Sequence, residues 1–469
     1  MDHFNKYLKD KIQDNSDAIV KRDPYGVSQE QIRDIKSALE ESKYKKVQNL
    51  IKELDAQNMA VVIEYLSPQF RQNFIDLIRN TFNPHLLPEL EETVRDEVIA
   101  QLVVTDLISV LSKLNSDDSV TLVEHLDDEM RLEVFNSMPA GDRMVLEEVL
   151  NYPEGSAARL MQREIVCIPS IWNARDTLNF LSKSPYVPKK IYDIFVIDCN
   201  HVPIGSMPLS TLLRIPHAMK LSDAIEGELK YISLNMDQES VALLFRKYNL
   251  ISAPVVDKKG RIVGMITIDD VVDVIDEEAE EDIMRLNLVA ESDFFAPLWK
   301  TSYRRIRWLL VTMINTLIAA SVVKIFESSI EEMAILAVLM PMCAAMGGNS
   351  GMQTVTVTVR AMATRELGLT NMWRAINKEV GVGILNGLFF GCIMSLIAGL
   401  WFENYMLGIV LGMSLVFNML WSAIAGVILP IFIGNLGMDP AISSGPFLTT
   451  TTDVLGYASF LGLASFLLI

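Results

Sequence analysis

The residues with most chemistry to offer stand near the end of the chain. They occupy Asp439-Pro-Ala-Ile-Ser-Ser-Gly-Pro-Phe-Leu-Thr-Thr-Thr-Thr-Asp453-Val-Leu-Gly456, which runs into an apolar tail ending at Ile469. Asp453 lies inside an apolar span, where an ionised carboxylate is costly and almost always faces a cavity, a partner or an ion path. On a helix, Thr449 falls one turn below Asp453 on the same face, with Thr450 three residues away. A carboxylate among hydroxyls and backbone carbonyls, with no Cys or His nearby, suits a hard cation such as Mg2+ or Ca2+. The competing reading is an aspartate hydrogen-bonded to a neighbouring helix. A second polar run follows Pro341, where Asn349 and Gln353 are four residues apart and a helix would place both amides on one stripe. Amides in hydrocarbon need partners or water, so this stripe fits the wall of an aqueous path. Gly347 and Gly351 share that spacing and equally suit a packing seam between helices.

A third group is carboxylate alone. Asp269, Asp273, Asp276, Glu277 and Glu280 recur at three- and four-residue steps and form one acidic face of a helix. Like charges at such spacings weaken a helix. Charge density and oxygen ligands favour neutralisation by a divalent cation; a solvated linker helix is the alternative. No Gly or Pro interrupts the stretch before Pro297, so the helix is expected to continue to that point.

These groups need a membrane scaffold and a soluble one. Apolar stretches at about 306–326, 333–359, 380–402, 406–434 and 446–468 each supply the roughly 20 residues that a crossing helix requires. With Lys324 and Glu327 taken as the end of the first, Asp453 is the only charged residue within them. Arg304, Arg305 and Arg307 precede the first span, and Arg360, Arg365, Arg374 and Lys378 separate the second from the third, whereas the other loops are acidic at Glu327 to Glu332 and Glu403. The bias of basic residues toward the cytoplasm then puts the N-terminal body inside and, after five crossings, Ile469 outside. Asp439 would sit at the cytoplasmic mouth, with Asp453 about 20 Å further along its helix.

The formal net charge of the 469 residues is -18, yet residues 301–469 hold 8 basic and 8 acidic side chains, so 33 basic and 51 acidic ones precede them. An acidic soluble body of this kind repels nucleic acid. Cys167, Cys199, Cys343 and Cys392 show no metal-ligand spacing and read as free thiols in a reducing compartment. No nucleophile, base and oxyanion arrangement is apparent, so an enzyme is not expected. Within the body, positions 54, 66, 78, 90, 102, 114, 126, 138 and 150 are Leu, Leu, Ile, Leu, Leu, Leu, Leu, Met and Leu. Helix-capping residues follow several of them, as in Leu54-Asp, Leu66-Ser-Pro and Leu126-Asp-Asp-Glu. This period of twelve describes short helices stacked as a superhelix.

From about Ser156 short strands mix with helices. Ile251-Ser-Ala-Pro-Val-Val-Asp, Lys258-Lys-Gly-Arg and Ile262-Val-Gly-Met-Ile-Thr-Ile-Asp-Asp270, preceded by a helix from Val241, resemble a CBS (cystathionine beta-synthase) motif. Residues 165–213 resemble a first copy, and two copies imply a regulatory CBS pair. In that family a Thr or Ser followed at the third position by Asp holds the ribose of an adenosine nucleotide. Thr267 and Asp270 match this, whereas the first copy has Met207-Pro-Leu-Ser210.

The order of parts resembles the MgtE family of bacterial magnesium channels over nearly the whole chain. Pro341 with Gly348-Asn349-Ser350-Gly351-Met352-Gln353, and Asp439-Pro-Ala with Ser444-Gly-Pro, Thr449-Thr450, Asp453 and Gly456, carry the likeness. It implies a multidomain membrane protein of the bacterial plasma membrane. A flexible N-terminus (1–28) would precede an all-α superhelical N-domain (29–155), an α/β CBS pair (156–275), a connecting plug helix (276–300) and a five-helix transmembrane domain (301–469). The likeness further implies a homodimer in lipid with a pore on its two-fold axis between spans two and five. Hydrated Mg2+ would be held by Asp453 with carbonyls of Thr449 and Gly445. Closure would come from Mg2+ bridging acidic cytosolic faces, with ATP at the CBS pair adjusting it. A carrier for Mn2+ or Co2+, or a membrane-anchored sensor that conducts nothing, are the rival functions.

Overall fold

A computed structural model describes residues 26–469 except 53, 186, 189, 226, 288, 290–297 and 369. The expected flexible N-terminus, 1–28, falls almost wholly outside the described residues, as does most of the stretch leading to Pro297. The chain forms two compact units, Met1–Ile275 and Asp276–Ile469.

Among the described residues, the first unit begins with helices α1 (Gln29–Glu40), α2 (Tyr44–Ile51), α3 (Ala56–Tyr65), α4 (Pro68–Ile78), α5 (Glu92–Ile99), α6 (Val104–Leu111), α7 (Ser116–Glu124), α8 (Asp128–Ser137) and α9 (Ala140–Leu150). The twelve-residue period marks their joints. Leu66, Ile78, Leu90, Leu102, Leu114 and Leu126 are buried in one continuous core, with Leu54, Met138 and Leu150 packed against it. Each fully buried aliphatic side chain contributes about 1.5–3 kcal/mol. Caps set where each helix begins: Asp55 accepts from the Asn58 amide at 2.9 Å and Asp127 from the Met130 amide at 2.7 Å. Pro68 occupies the first turn of α4. Guanidiniums close the ends. Arg71 donates to the Leu66 carbonyl at 3.1 Å and Arg131 to the Leu126 carbonyl at 2.8 Å, each five residues after its repeat leucine.

The rest of this unit is a duplication. Strands β1 (Cys167–Pro169), β2 (Asp193–Ile197) and β3 (Pro203–Pro208) form one sheet, and β4 (Ile232–Ser233), β5 (Ser252–Val256) and β6 (Ile262–Thr267) form another. In each sheet the first strand runs parallel to the second and the second antiparallel to the third. Both antiparallel pairs shift register at one place, between Val196 and Ile197 and between Val255 and Val256. The turns match too: Asp198 Oδ1 accepts from the Asn200 and Val202 amides, and Asp257 Oδ1 from the Lys259 and Arg261 amides. Register corrects the sequence alignment by one residue. Pro208 faces Asp193 as Thr267 faces Ser252, so the first copy carries Pro208 and Thr211, not Met207 and Ser210, where the second carries Thr267 and Asp270.

The helix α10 (Ile268–Leu286) follows β6 and spans the boundary between the units. It stops eleven residues short of Pro297, against the expectation of one helix to that point. Asn287 ends it: its Nδ2 donates to the Ile283 carbonyl at 3.0 Å, and the Asn287 and Val289 amides both turn back to the Met284 carbonyl. Asn competes for backbone groups in this way and breaks helices without being Gly or Pro.

The second unit holds α11 (Leu298–Ile325), a short α12 (Glu327–Glu332), α13 (Ile335–Ala363), α14 (Met372–Trp401), α15 (Tyr405–Asn435) and α16 (Pro440–Leu467). Four of these, Thr301–Ile325, Ile335–Ala363, Met372–Trp401 and Tyr405–Asn435, are long and apolar enough to cross a membrane. The fifth expected span, α16, has 28 residues, with its threonine run and Asp453 in the middle. α14 packs on α15 through a small-residue seam, with Gly391 facing the Gly412 carbonyl and Gly387 facing Val416. Since α14 starts at Met372, Glu379 lies inside it, and Asp453 is not the only carboxylate within a long apolar helix. Glu379 is mostly buried, 3.2 Å from Lys378 and 3.5 Å from Thr354.

Candidate ion pathway and carboxylate cluster

Helix α16 carries a run of polar side chains midway along its length. Asp439 caps it, with Oδ1 accepting from the Ala441 amide at 2.7 Å, and Pro440 fills the first turn. Pro446 removes one backbone donor inside the helix. Around it the threonines bond back to their own helix: Thr449 to the Gly445 and Pro446 carbonyls, Thr450 to Pro446, Thr451 to Leu448 and Thr452 to Thr449. Their protons are thereby used internally, and their oxygens stay available as acceptors. From α11, Asn315 also donates to the Pro446 carbonyl at 3.2 Å. One turn beyond Thr449, Asp453 is half-buried and has neither a hydrogen bond nor an ion pair among the described residues. Gly445 is buried and Thr449 exposed.

α13 lies directly against α16. Gly351 abuts Leu448, and a Cβ at Gly348 would stand 3.8 Å from Thr452 Oγ1. On α13 the amides of Asn349 and Gln353 are exposed, one turn apart, with no partner among the described residues. Gly347 and Gly351 serve the seam that their spacing suggests, Gly347 against Asn418 of α15 and Gly351 against Leu448.

The same unit contains the last turns of α10. Arg285 donates to Asp439 Oδ2 at 2.6 Å and pairs with Glu281. Burial, then the charges of Asp439 and Glu278, push the Asp282 carboxyl above its ordinary range. Leu286 packs into a cluster with Val355, Val359, Ala425, Ala441 and Leu448. Its carbonyl lies 3.8 Å from the Cβ position of Gly445. Asp439 thus serves as a helix cap and as the partner of Arg285, at the end of α16 where a path along that helix would open.

In the first unit, acidic groups gather around the start of α10. Gln162 Nε2 donates to Asp117 Oδ2 at 3.0 Å and to both oxygens of Asp270 at 3.2 Å. Thr267 is fully buried, and its hydroxyl and amide bond Asp270 Oδ2 at 2.7 and 3.2 Å. An ionised carboxylate has about four acceptor sites, so these four contacts occupy Asp270 and a further donor would have to displace one of them. Burial, reinforced by the Asp118 charge, raises Asp117 to about 6, and burial with the Asp117 charge raises Asp270 to about 7. Burial first, then Asp270, Glu89, Asp273 and Glu164, raise Asp118 to about 6. Asp269, Asp273, Asp276, Glu277 and Glu280 are exposed along α10, with Asp269 accepting from the Tyr192 hydroxyl at 3.4 Å. Among the described residues no three His, Cys, Asp or Glu side chains converge to hold an ion directly. The acidic groups instead form exposed, negatively charged faces along α10.

Residues 340–463 match a family described as a divalent cation transporter, MgtE, residues 54–155 the MgtE intracellular N domain and residues 221–277 the CBS domain. The magnesium transporter MgtE of Thermus thermophilus is 33% identical over 333 residues, which cover 70% of this chain and 73% of that protein. The chain belongs to the MgtE family. The MgtE of Bacillus subtilis is 29% identical over 331 residues, covering 70% and 73% of the two chains. Among solved structures, the cytosolic domain of the Mg2+ channel MgtE in complex with ATP is similar at 24% identity and TM-score 0.48, over 52% of this chain and 99% of that one. The soluble part of a magnesium transporter is similar at 22% identity and TM-score 0.47, over 53% and 98%. The expected architecture holds: a helical N-domain, a CBS pair and a set of long apolar helices make a multi-pass membrane protein of a transporter family.

Sequence reasoning gave Asp117 and Asp118 no role beyond helix capping, their signal being a pair of acidic residues in the first turn of α7. It also passed over Arg285, the one basic side chain in the last turn of α10. The raised carboxyls carry a pH dependence. Their ordinary value is 3.8. Protonation therefore contributes stability that is complete below about pH 4 and is lost as pH rises through about 6 to 7. Hydrogen exchange at α7 is expected to speed up from pH 5.5 to 7.5, after correction for intrinsic rates. Millimolar Mg2+ should restore protection at pH 7.5 and change little at 5.5. Protection independent of pH would contradict burial of these charges.

Proposed function

We propose that the protein is a Mg2+ channel of the plasma membrane that admits Mg2+ to the cytoplasm and closes as cytosolic Mg2+ rises. The observation that carries this reading is Asp453: a carboxylate without a partner among the described residues, in the middle of a long helix and beside exposed Thr449. The amides of Asn349 and Gln353, exposed and without a partner among the described residues, stand on the helix packed against it. Such a face is untenable against lipid. A second copy related by a two-fold axis would cover it and enclose water between α13 and α16 of the two protomers. Mg2+ dehydrates reluctantly, so it would pass as a hydrated ion, touching Asp453 through its water shell and the backbone of Thr449 and Gly445. The N-terminal body and Asp439 would lie on the cytoplasmic side, with Ile469 outside.

Closure would use the acidic faces. Asp118, Asp270 and Asp273 repel one another when bare, and Asp269, Asp276, Glu277 and Glu280 extend the negative charge along α10. Divalent ions bridging these groups would draw them together and set Arg285 and Leu286 of α10 on the start of α16. Competition distinguishes the cargo: Mg2+ uptake into vesicles holding the purified protein is expected to exceed uptake of Mn2+ and Co2+. Preference for either would make it a carrier of that metal, and absence of flux would leave a sensor.

ATP is the proposed modulator, with Thr267 and Asp270 holding its ribose. Because Asp270 also bonds Gln162 beside Asp117, nucleotide and acidic cluster would be coupled through one side chain. Calorimetry on the full chain is expected to show ATP binding that Asp270→Asn weakens. No heat at millimolar ATP would leave the CBS pair a mechanical coupler.

A further inference from the structure

Asn418 sits in the middle of α15, fully buried, between the two helices of the candidate path. Its Nδ2 donates to the Cys343 carbonyl of α13 at 2.9 Å. Its amide also fills the space above two glycines. A Cβ at Gly347 of α13 would overlap it, and one at Gly456 of α16 would stand 2.8 Å from Nδ2. Gly347 is two residues before Asn349, and Gly456 is three residues after Asp453. One side chain of α15 therefore reaches both helices within a turn of the groups that face the ion.

Filling space does not account for an amide here. Asn418 Oδ1 has no partner among the described residues. An unpaired buried oxygen is destabilising, and leucine would fill a similar volume without one. What leucine lacks is the donor to α13. Ser422, one turn later and also buried, donates to the Asn418 carbonyl at 2.8 Å, so the polar stripe continues along α15 on this face.

We infer that Asn418 is a positioning residue for ion selectivity: its amide fixes the separation of α13 and α16 at the depth of Asp453, and so the width available to a hydrated divalent cation. The inference rests on Asp453 being the ion-facing carboxylate. Mg2+ holds a compact octahedral shell, whereas Ca2+ is larger and tolerates irregular coordination, so rigidity and size decide between them. A pathway with a loose wall should admit Ca2+ more readily relative to Mg2+.

The test compares Mg2+ and Ca2+ uptake by the full chain in proteoliposomes at equal protein abundance. Asn418→Leu is expected to lower the Mg2+ to Ca2+ flux ratio at least fivefold. Because that variant can fail to fold, a second one pairs Asn418→Ala with Gly347→Ala, which returns a methyl group to the vacated space without a hydrogen bond. It is expected to show the same lowered ratio. A wild-type ratio in either variant overturns the inference, since the amide would then act only as filler. If the wild type itself takes up no Mg2+, the assignment of Asp453 fails instead.

Discussion

Asp453→Asn is expected to abolish most Mg2+ uptake while leaving fold and membrane abundance unchanged. The substitution keeps shape and size and removes one negative charge from a position with no counter-charge among the described residues. Even in the dielectric of bulk water, a single charge about 5 Å from a divalent ion contributes about 1.7 kcal/mol, more than a factor of ten in occupancy. A site shared across a two-fold axis loses this twice, and a lower local dielectric enlarges it. Uptake is therefore expected to fall by well over tenfold, measured with a Mg2+-sensitive dye trapped in vesicles. Wild-type flux at equal abundance would show that the ion does not pass this carboxylate.

Neutralising the acidic face of α10, with Asp273→Asn, Asp276→Asn and Glu280→Gln together, is expected to uncouple closure from Mg2+. In the wild type, cytosolic Mg2+ should protect α10 from protease and reduce flux with a steep dependence on concentration. Moving an open-to-closed ratio from 1:99 to 99:1 takes about 5.5 kcal/mol of differential binding. One exposed millimolar site cannot supply that, whereas several acting together can. The triple variant should lose both the protection and the steepness. A shallow single-site curve in the wild type would count against closure by multiple ions even with Asp453 confirmed as the ion-facing residue.

Much of the scaffold was legible because its signals are local. The repeat leucines stand at joints where caps such as Asp55 and Asp127 follow within a residue, so pattern and chemistry coincide. The second CBS copy reads clearly through the Asp257 to Arg261 turn, with Gly260 at φ 79°. The first is fainter, since His201 takes the corresponding left-handed position at φ 62° and Pro208 replaces the threonine. Asp453, Thr449, Asn349 and Gln353 could be singled out because polar groups in apolar runs stand out. Their lack of partners among the described residues could not be read, because it depends on what the other helices of the unit do not offer.

The remainder is long-range. Asp117 and Asp270 meet around Gln162 only through the fold, and neither local sequence signals the other. In sequence Asn418 is one polar residue in an apolar run, and its partner, the Cys343 carbonyl, lies 75 residues away. The end of α10 was misjudged because an asparagine side chain, rather than glycine or proline, terminates it.

The most direct measurement is Mg2+ flux into liposomes that contain this protein alone, with a voltage imposed across the membrane and Mg2+ varied on the side of the soluble body. Flux is expected to follow the voltage, to exceed that of empty liposomes, and to fall steeply as Mg2+ on that side rises through the millimolar range. Flux equal to that of empty liposomes at every Mg2+ concentration, or flux through the wild type that ignores Mg2+ on that side, would contradict a conduit closed by the ion it carries.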